Sequence, residues 1–202
     1  MVKDIPSWKY IYIIMMPSTL AHAIDLYQYY KSLGEKSLAQ TSDEALNWIP
    51  DDKSNSINVI IRHLHGNMMS RWTDFLTSDG EKEWRQRDQE FEEHDMTREQ
   101  LMQLWEEGWA CTLNALKSLT AEDMEKTIYI RNMGQSVEDA ILRQLAHYSY
   151  HVGQIVYLAR LTNQGDWKSL TIPKGSSDAY NKAKAEPGKR IEHFTKNLHE
   201  LK

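Results

Sequence analysis

Cysteine is almost absent. Cys111 stands alone among 202 residues, which rules out an internal disulfide framework and suits a reducing compartment. A basic surplus is missing as well: 24 Lys and Arg against 29 Asp and Glu leave a net charge of -5. Without a positive field the chain does not read as a nucleic-acid binder or a binder of anionic membranes. No long apolar run occurs; the longest, Ile11 to Met16 with its neighbouring tyrosines, is far short of the roughly 20 residues of a spanning helix. Proline (five) and glycine (nine) are scarce and gather at a few joints. Alternating apolar runs are equally few, so strands are not expected.

What remains is an ordinary globular composition, 41% hydrophobic and 26% charged. A chain of this length buries about 70% of its unfolded surface and needs no staple to fold. Near the start, Lys3, the apolar Tyr10–Met16 stretch and Ala21-His22-Ala23 loosely imitate a secretory signal. Asp4 in the would-be basic region and Pro17 after a very short apolar core argue against one, and cleavage after Ala23 would remove the start of a helix. The expected location is the cytoplasm.

Helical periods dominate. A first helix is expected over about Ser18 to Gln40, with Ile24, Tyr27, Tyr30 and Leu38 on one face, followed by a connector over Asp43 to Asn55. A second runs from Ser56 to about Leu76, where Ile57, Ile61, Leu64, Met68, Trp72 and Phe75 recur at steps of three and four. The polar stretch Thr77 to Met96, with the acidic run Glu90 to Asp95, reads as a long solvated connection. Thr97-Arg98-Glu99-Gln100 is a capping box that opens a third helix carrying Leu101, Leu104, Gly108, Cys111 and Ala115, to about Leu119. Ser136 caps a fourth, whose apolar row is Val137, Ile141, Leu145, Tyr148, Val152, Ile155 and Ala159. A loop with Pro173 and Gly175 follows, then a charged tail from Lys182 that can form a short exposed helix. The expectation is an all-α four-helix bundle over 20–165, with an extension at 1–19 and a C-terminal loop and tail at 166–202. The long connection allows the second and third helices to run parallel.

Beside the apolar row of the fourth helix lies a second row: Gln144, His147, His151 and Gln154. His147 and His151, four apart, project in one direction and can reach a single ion. His-x-x-x-His alone is a weak motif, and with Tyr148-Ser149-Tyr150 between the histidines it is not the metalloprotease pattern. On the second helix His63, Asn67, Arg71 and Asp74 form a comparable flank. Three imidazoles meeting at one point would leave a fourth position open, as in catalytic rather than structural zinc sites. Hydrogen-bonded or exposed histidines are the simpler reading of either flank. His65 points away from His63; His22, His94, His193 and His199 read as solvated.

Arg62-His63-Leu64-His65-Gly66-Asn67-Met68 and Gln144-Leu145-Ala146-His147-Tyr148-Ser149-Tyr150-His151-Val152-Gly153-Gln154 resemble segments of the DinB/YfiT-like superfamily. The resemblance implies a bundle of up-down-down-up order and a metal, Zn²⁺ or Ni²⁺, on His63, His147 and His151. A narrower bacterial subfamily, a domain of unknown function, is resembled by Gly66 through Leu76, Asp79-Gly80-Glu81-Lys82, Trp84-Arg85-Gln86-Arg87-Asp88 and Ile172-Pro173-Lys174-Gly175. The likeness covers about residues 24 to 182. Superfamily members include thiol transferases using bacillithiol or mycothiol, so the implied partners are a small thiol and an electrophile. A metal-dependent hydrolase and a non-catalytic metal- or small-molecule-binding bundle remain alternatives.

Around such a metal, Asn67 and Gln154 are candidate partners of the imidazoles. Trp72 is a candidate pocket wall, and Arg71 and Arg85 could orient an anionic group. For Arg85 a salt bridge between loop and bundle is the simpler reading. Cys111 reads as a small buried hydrophobe. The exposed helix faces would permit a homodimer.

Overall fold

The computed structural model describes residues 18–197 apart from 93, 164 and 166, so the signal-like stretch and the extension before residue 18 lie outside the described residues. The chain is mostly helical: α1 Ser18–Leu38, the short α2 Asp43–Leu46, α3 Ile57–Trp72, α4 Arg98–Ser118, α5 Val137–Thr162 and α6 Ser177–Ala185. α1 packs on α4 and α5, and α3 packs on the same two helices. Among the described residues no helix is long and apolar enough to cross a membrane.

Caps set the starts. Ser56 Oγ accepts from the Val59 N–H at 3.2 Å ahead of α3, and Ser136 Oγ accepts from the Asp139 N–H at 3.0 Å ahead of α5. Before α4 both halves of the Thr97–Gln100 capping box are made. Each satisfies backbone donors that have no partner within the helix, typically about 1 kcal/mol per cap. The core row of α3 is buried as its spacing predicts, from Ile57 to Phe75. α3 itself ends at Trp72, a turn earlier than expected, where Asp74 takes a left-handed φ of 48°. On α4 the buried row is Leu101, Trp105, Trp109, Thr112 and Leu116, with Gly108. The expected Leu104, Cys111 and Ala115 sit at its half-buried edge. The tryptophans win the centre because they bury the most apolar area per side chain. Tyr27 packs edge-on to Trp72, Trp109 and Tyr148, and its hydroxyl donates to the Ile141 carbonyl at 2.9 Å.

Two small elements were not expected from the sequence. The connector after α1 contains α2, capped by Ser42. Between α4 and α5 lies an antiparallel hairpin, β1 Thr127–Ile130 with β2 Met133–Ser136. Its turn puts Arg131 and Asn132 at φ of 56° and 61°, a conformation that side chains other than glycine adopt reluctantly. Asp79 holds it, accepting from both backbone N–H groups at 2.8 Å. The short exposed helix expected in the C-terminal tail is α6, which starts at Ser177, ahead of Lys182; beyond it His193 stacks on His22 of α1 and Thr195 is buried. Those two histidines therefore face each other rather than water alone.

Candidate metal centre

α3 and α5 meet where each carries its histidine flank. His63, two turns into α3, is buried; His147 and His151 on α5 are half-buried. His147 Nε2 lies 3.3 Å from His63 Nε2 and 3.0 Å from His151 Nε2. The three potential ligand atoms fall within 4.8 Å of one another. Tetrahedral ligands about 2.0–2.1 Å from an ion stand about 3.3 Å apart, so the three nitrogens are spaced to share one.

The opposite ring nitrogens set the tautomers. His63 Nδ1 lies 2.9 Å from Glu90 Oε2, an acceptor that requires the proton on Nδ1. His151 Nδ1 lies 2.7 Å from Gln154 Oε1, and the Gln154 amide donates on to the Tyr150 hydroxyl at 3.1 Å. With Nδ1 protonated, both rings aim an Nε2 lone pair at the shared point. His147 cannot satisfy two lone pairs with one N–H, and its own Nδ1 is buried without a hydrogen-bond partner among the described residues. A cation at the centre resolves the surplus of acceptors, so the donor set fits a metal.

Burial keeps the two α5 imidazoles neutral. Burial, then the neighbouring His151 and His63, hold His147 down at about 3. Burial likewise lowers His151 to about 4, against the opposing hydrogen bond to Gln154. Neutral rings are the ligating form. Burial pushes the Glu90 carboxyl upward, but hydrogen bonds from His63 and Arg85 outweigh it and leave it below the usual range.

Glu90 is the residue the sequence did not disclose. Backbone carbonyls of the expected solvated run are fastened along α3, while the side chains of Glu92, His94 and Asp95 stay exposed. Arg62 donates to the carbonyls of Gln89 and Glu92, and Asn58 donates to the His94 carbonyl at 2.7 Å. The 3-10 turn Arg87–Phe91 thereby lays Phe91 against the His63 ring, centroids 4.9 Å apart. It brings Glu90 between His63 and Arg85. Arg85 binds Glu90 through Nε at 2.7 Å and Nη2 at 2.9 Å, and donates to Ser70 Oγ at 3.1 Å. Gly66 was the available signal, because a Cβ there would overlap the Glu90 carboxylate.

The other candidates divide. Gln154 takes its expected place behind His151. Asn67 does not touch the imidazoles; its Oδ1 accepts from the Tyr148 hydroxyl at 3.2 Å, which in turn accepts from Trp72 Nε1 at 3.0 Å. Trp72 is therefore core, more than two turns along α3 from His63, and not a pocket wall. Arg71 is committed to the Gly80 carbonyl and Glu81, and Arg85 to Glu90, so neither guanidinium is free to orient a ligand. His65 sits 3.3 Å from Glu107, on the α4 side. Cys111 is half-buried beside Thr73, and burial pushes its thiol up, the reverse of an activated nucleophile.

No curated protein and no solved structure matches the chain. Residues 16–176, most of its length, match the family DUF1572, described as protein of unknown function. The segment matched contains both helices of the histidine cluster and the loop that carries Glu90, and the chain belongs to that family.

Proposed function

We propose that the chain is a DinB-like four-helix bundle of up-down-down-up order, with a divalent metal, Zn²⁺ or Ni²⁺, on His63, His147 and His151. We read it as a transferase that moves a low-molecular-weight thiol such as bacillithiol onto an electrophile. The helix order is supported by the contacts themselves. His65 and Met68 approach Gly108 while Thr73 approaches Cys111, which is parallel packing of α3 and α4. Tyr27 meets Tyr148 while Gln40 meets Asn163, which is parallel packing of α1 and α5. Ile60 lines one cavity with Tyr157 and Leu158 while Asn67 meets Tyr148, as expected where α3 and α5 run opposite ways.

One observation carries the chemical reading: three Nε2 atoms converge, and the nearest carboxylate is turned to the outer nitrogen of His63. A bound divalent cation would supply the positive charge that deprotonates a coordinating thiol at neutral pH. Glu90 holds the His63 ring in its ligating tautomer and is itself clamped by Arg85, so it is poorly placed as a general base for water. Gln154 does the same for His151. In the reaction the thiol proton leaves to solvent, the sulfur pair forms the new S–C bond, and the leaving group departs with its bonding electrons.

The test is consumption of a model electrophile by protein purified without a polyhistidine tag, loaded with Zn²⁺ or Ni²⁺, with and without small thiols. Turnover that needs both metal and thiol is expected. Turnover without thiol would instead mark a hydrolase, and stoichiometric metal with no turnover a binding protein.

A further inference from the structure

Glycine inside a helix costs roughly 1 kcal/mol relative to alanine, so each one calls for a reason. At Gly34 a Cβ would overlap the Trp105 ring, at Gly66 the Glu90 carboxylate, and at Gly108 it would press on Met68. Gly153, in the middle of the 26-residue α5, is different: a Cβ there meets nothing within 4 Å. Within the protomer Gly153 borders only an open cavity of about 600 Å³, shared with Tyr150, Tyr157 and the connector residues Pro50 and Lys53, so no packed neighbour demands a glycine there.

Gly153 lies in an exposed stripe of small and apolar residues that runs along α5: Leu142, Ala146, Tyr150, Gly153, Tyr157 and Leu161. The large members are 49%, 61%, 67% and 52% exposed, for Leu142, Tyr150, Tyr157 and Leu161 respectively. Steps of four, four, three, four and four keep them on the face opposite the buried row. From 142 to 161 the stripe is about 28 Å long at 1.5 Å per residue, the span of a helix rather than of a small molecule. Trp48 and Ile49 extend it, with Trp48 and Leu161 lining one cavity of about 420 Å³.

The stripe is also symmetric about its centre. Positions equidistant from the midpoint between His151 and Val152 pair as Tyr150 with Gly153, Tyr157 with Ala146, and Leu142 with Leu161. An antiparallel second α5 would therefore set each tyrosine over a small residue and each terminal leucine against a leucine. That is the self-complementarity a two-fold interface requires. The flanking arginines are turned away from this seam: Arg143 reaches Gln135 and Arg160 lies over the Trp167 ring.

We infer that this α5 face pairs with the same face of a second copy of the chain, with Gly153 and Ala146 as the sockets for the partner's Tyr150 and Tyr157. The exposed side chains named above present roughly 600–700 Å². That exceeds what a monomer of this kind usually leaves as one apolar patch, about 300–600 Å². Doubled, it gives about 1,200–1,400 Å², within the range of specific interfaces. Tyr150 is also the residue that receives the Gln154 amide, so the seam lies two hydrogen bonds from the His151 ring.

Sedimentation velocity on the full chain decides the matter. A species of twice 23.7 kDa is expected. Gly153→Glu puts a charged side chain into the socket yet has open space in the protomer, so it should weaken association at least 100-fold while far-UV circular dichroism and thermal unfolding stay cooperative. Tyr157→Ser should weaken it by a smaller factor. Met133→Ser, on the equally exposed hairpin, should leave the dimer intact. A wild-type monomer across the accessible concentrations would overturn the proposal, and so would a folded Gly153→Glu protein that dimerises as tightly as wild type. Loss of the dimer in Met133→Ser with retention in Gly153→Glu would move the interface elsewhere.

Discussion

Gly66→Ala ought to stabilise an exposed helix, and here it should do the reverse. On propensity alone the change adds about 0.5–1 kcal/mol of stability. The new Cβ, however, would occupy the place of the Glu90 carboxylate. That carboxylate is not a free side-chain end: it holds His63 Nδ1 at 2.9 Å and both Arg85 nitrogens at 2.7 and 2.9 Å. Hydrogen bonds to charged groups contribute about 1.5–3 kcal/mol each. Displacing Glu90 also strands Arg85, whose side chain is 2% exposed, and breaking a buried pair costs about 3–5 kcal/mol. After partial relaxation and the propensity gain, a net loss of about 2–4 kcal/mol is expected. For a chain of this size that lowers Tm by roughly 4–16 °C. Metal affinity, measured by competition with a chromogenic chelator, should fall about 10–100-fold, because His63 loses the acceptor that fixes its ring. The decisive step is a double-mutant cycle. In a Glu90→Ala background the clash is gone, so Gly66→Ala should change sign and stabilise by about 0.5–1 kcal/mol. An equal destabilisation in both backgrounds would refute the placement of Glu90 over α3.

Further outcomes follow from the same contacts. His151→Ala should abolish stoichiometric Zn²⁺ by elemental analysis while helicity is retained; full metal content would remove His151 from the site. Gln154→Ala should keep the metal but weaken it by about 10–100-fold, since His151 then lacks its outer partner. For the metal-free protein the sign of the pH dependence is set by histidines near 3 and 4 in the fold against about 6.5 unfolded. The unfolded chain binds more protons in between, so stability is fully present above pH 6.5 and is lost as pH falls toward 4. Denaturant titrations in the presence of chelator should show that slope, and a His147→Gln, His151→Gln protein should flatten it. Asp79→Ala should lower stability by about 2–3 kcal/mol, because it releases the backbone N–H groups of Arg131 and Asn132 from a charged acceptor. An unchanged Tm would show that the hairpin turn stands without it.

Most of the helices were legible because the signals for them are local. Ser56, Thr97 and Ser136 act on backbone within three residues, and the α3 row is read at a fixed period. The histidine flanks of α3 and α5 were legible for the same reason, since His147 and His151 need only a helix to point together. Their meeting with His63 was one open reading of the two flanks, because it depends on which helices neighbour each other, and the family resemblance favoured it. On α4 the period was right and the phase slipped: Leu104 and Cys111 suit a core row, but Trp105 and Trp109 bury more and pull the helix round. The hairpin escaped because Arg131-Asn132 carries no turn signature of its own. Its acceptor, Asp79, is more than fifty residues away.

Glu90 shows why the site was harder to read than the fold. An acidic run between helices is ordinarily solvated, since an isolated buried carboxylate is prohibitively costly. Here Arg85 and His63 both donate to it, and only their joint presence makes burial tolerable. Neither donor names its acceptor alone: Arg85 reads as a salt-bridge partner between loop and bundle or an anion-orienting group, and His63 as a ligand or a hydrogen-bonded or exposed histidine. Gly66 completes the argument by subtraction, since it removes the one side chain that would keep a carboxylate off the helix. Four residues from two distant segments, Gly66 and His63 on α3 with Arg85 and Glu90 on the connection, are thus one structural unit. That unit sets the tautomer of a single imidazole. Substitutions at any of them should accordingly be non-additive with the others, whereas changes at Gln154, which serves His151 from α5, should add to them in stability and couple to them only through the shared ion.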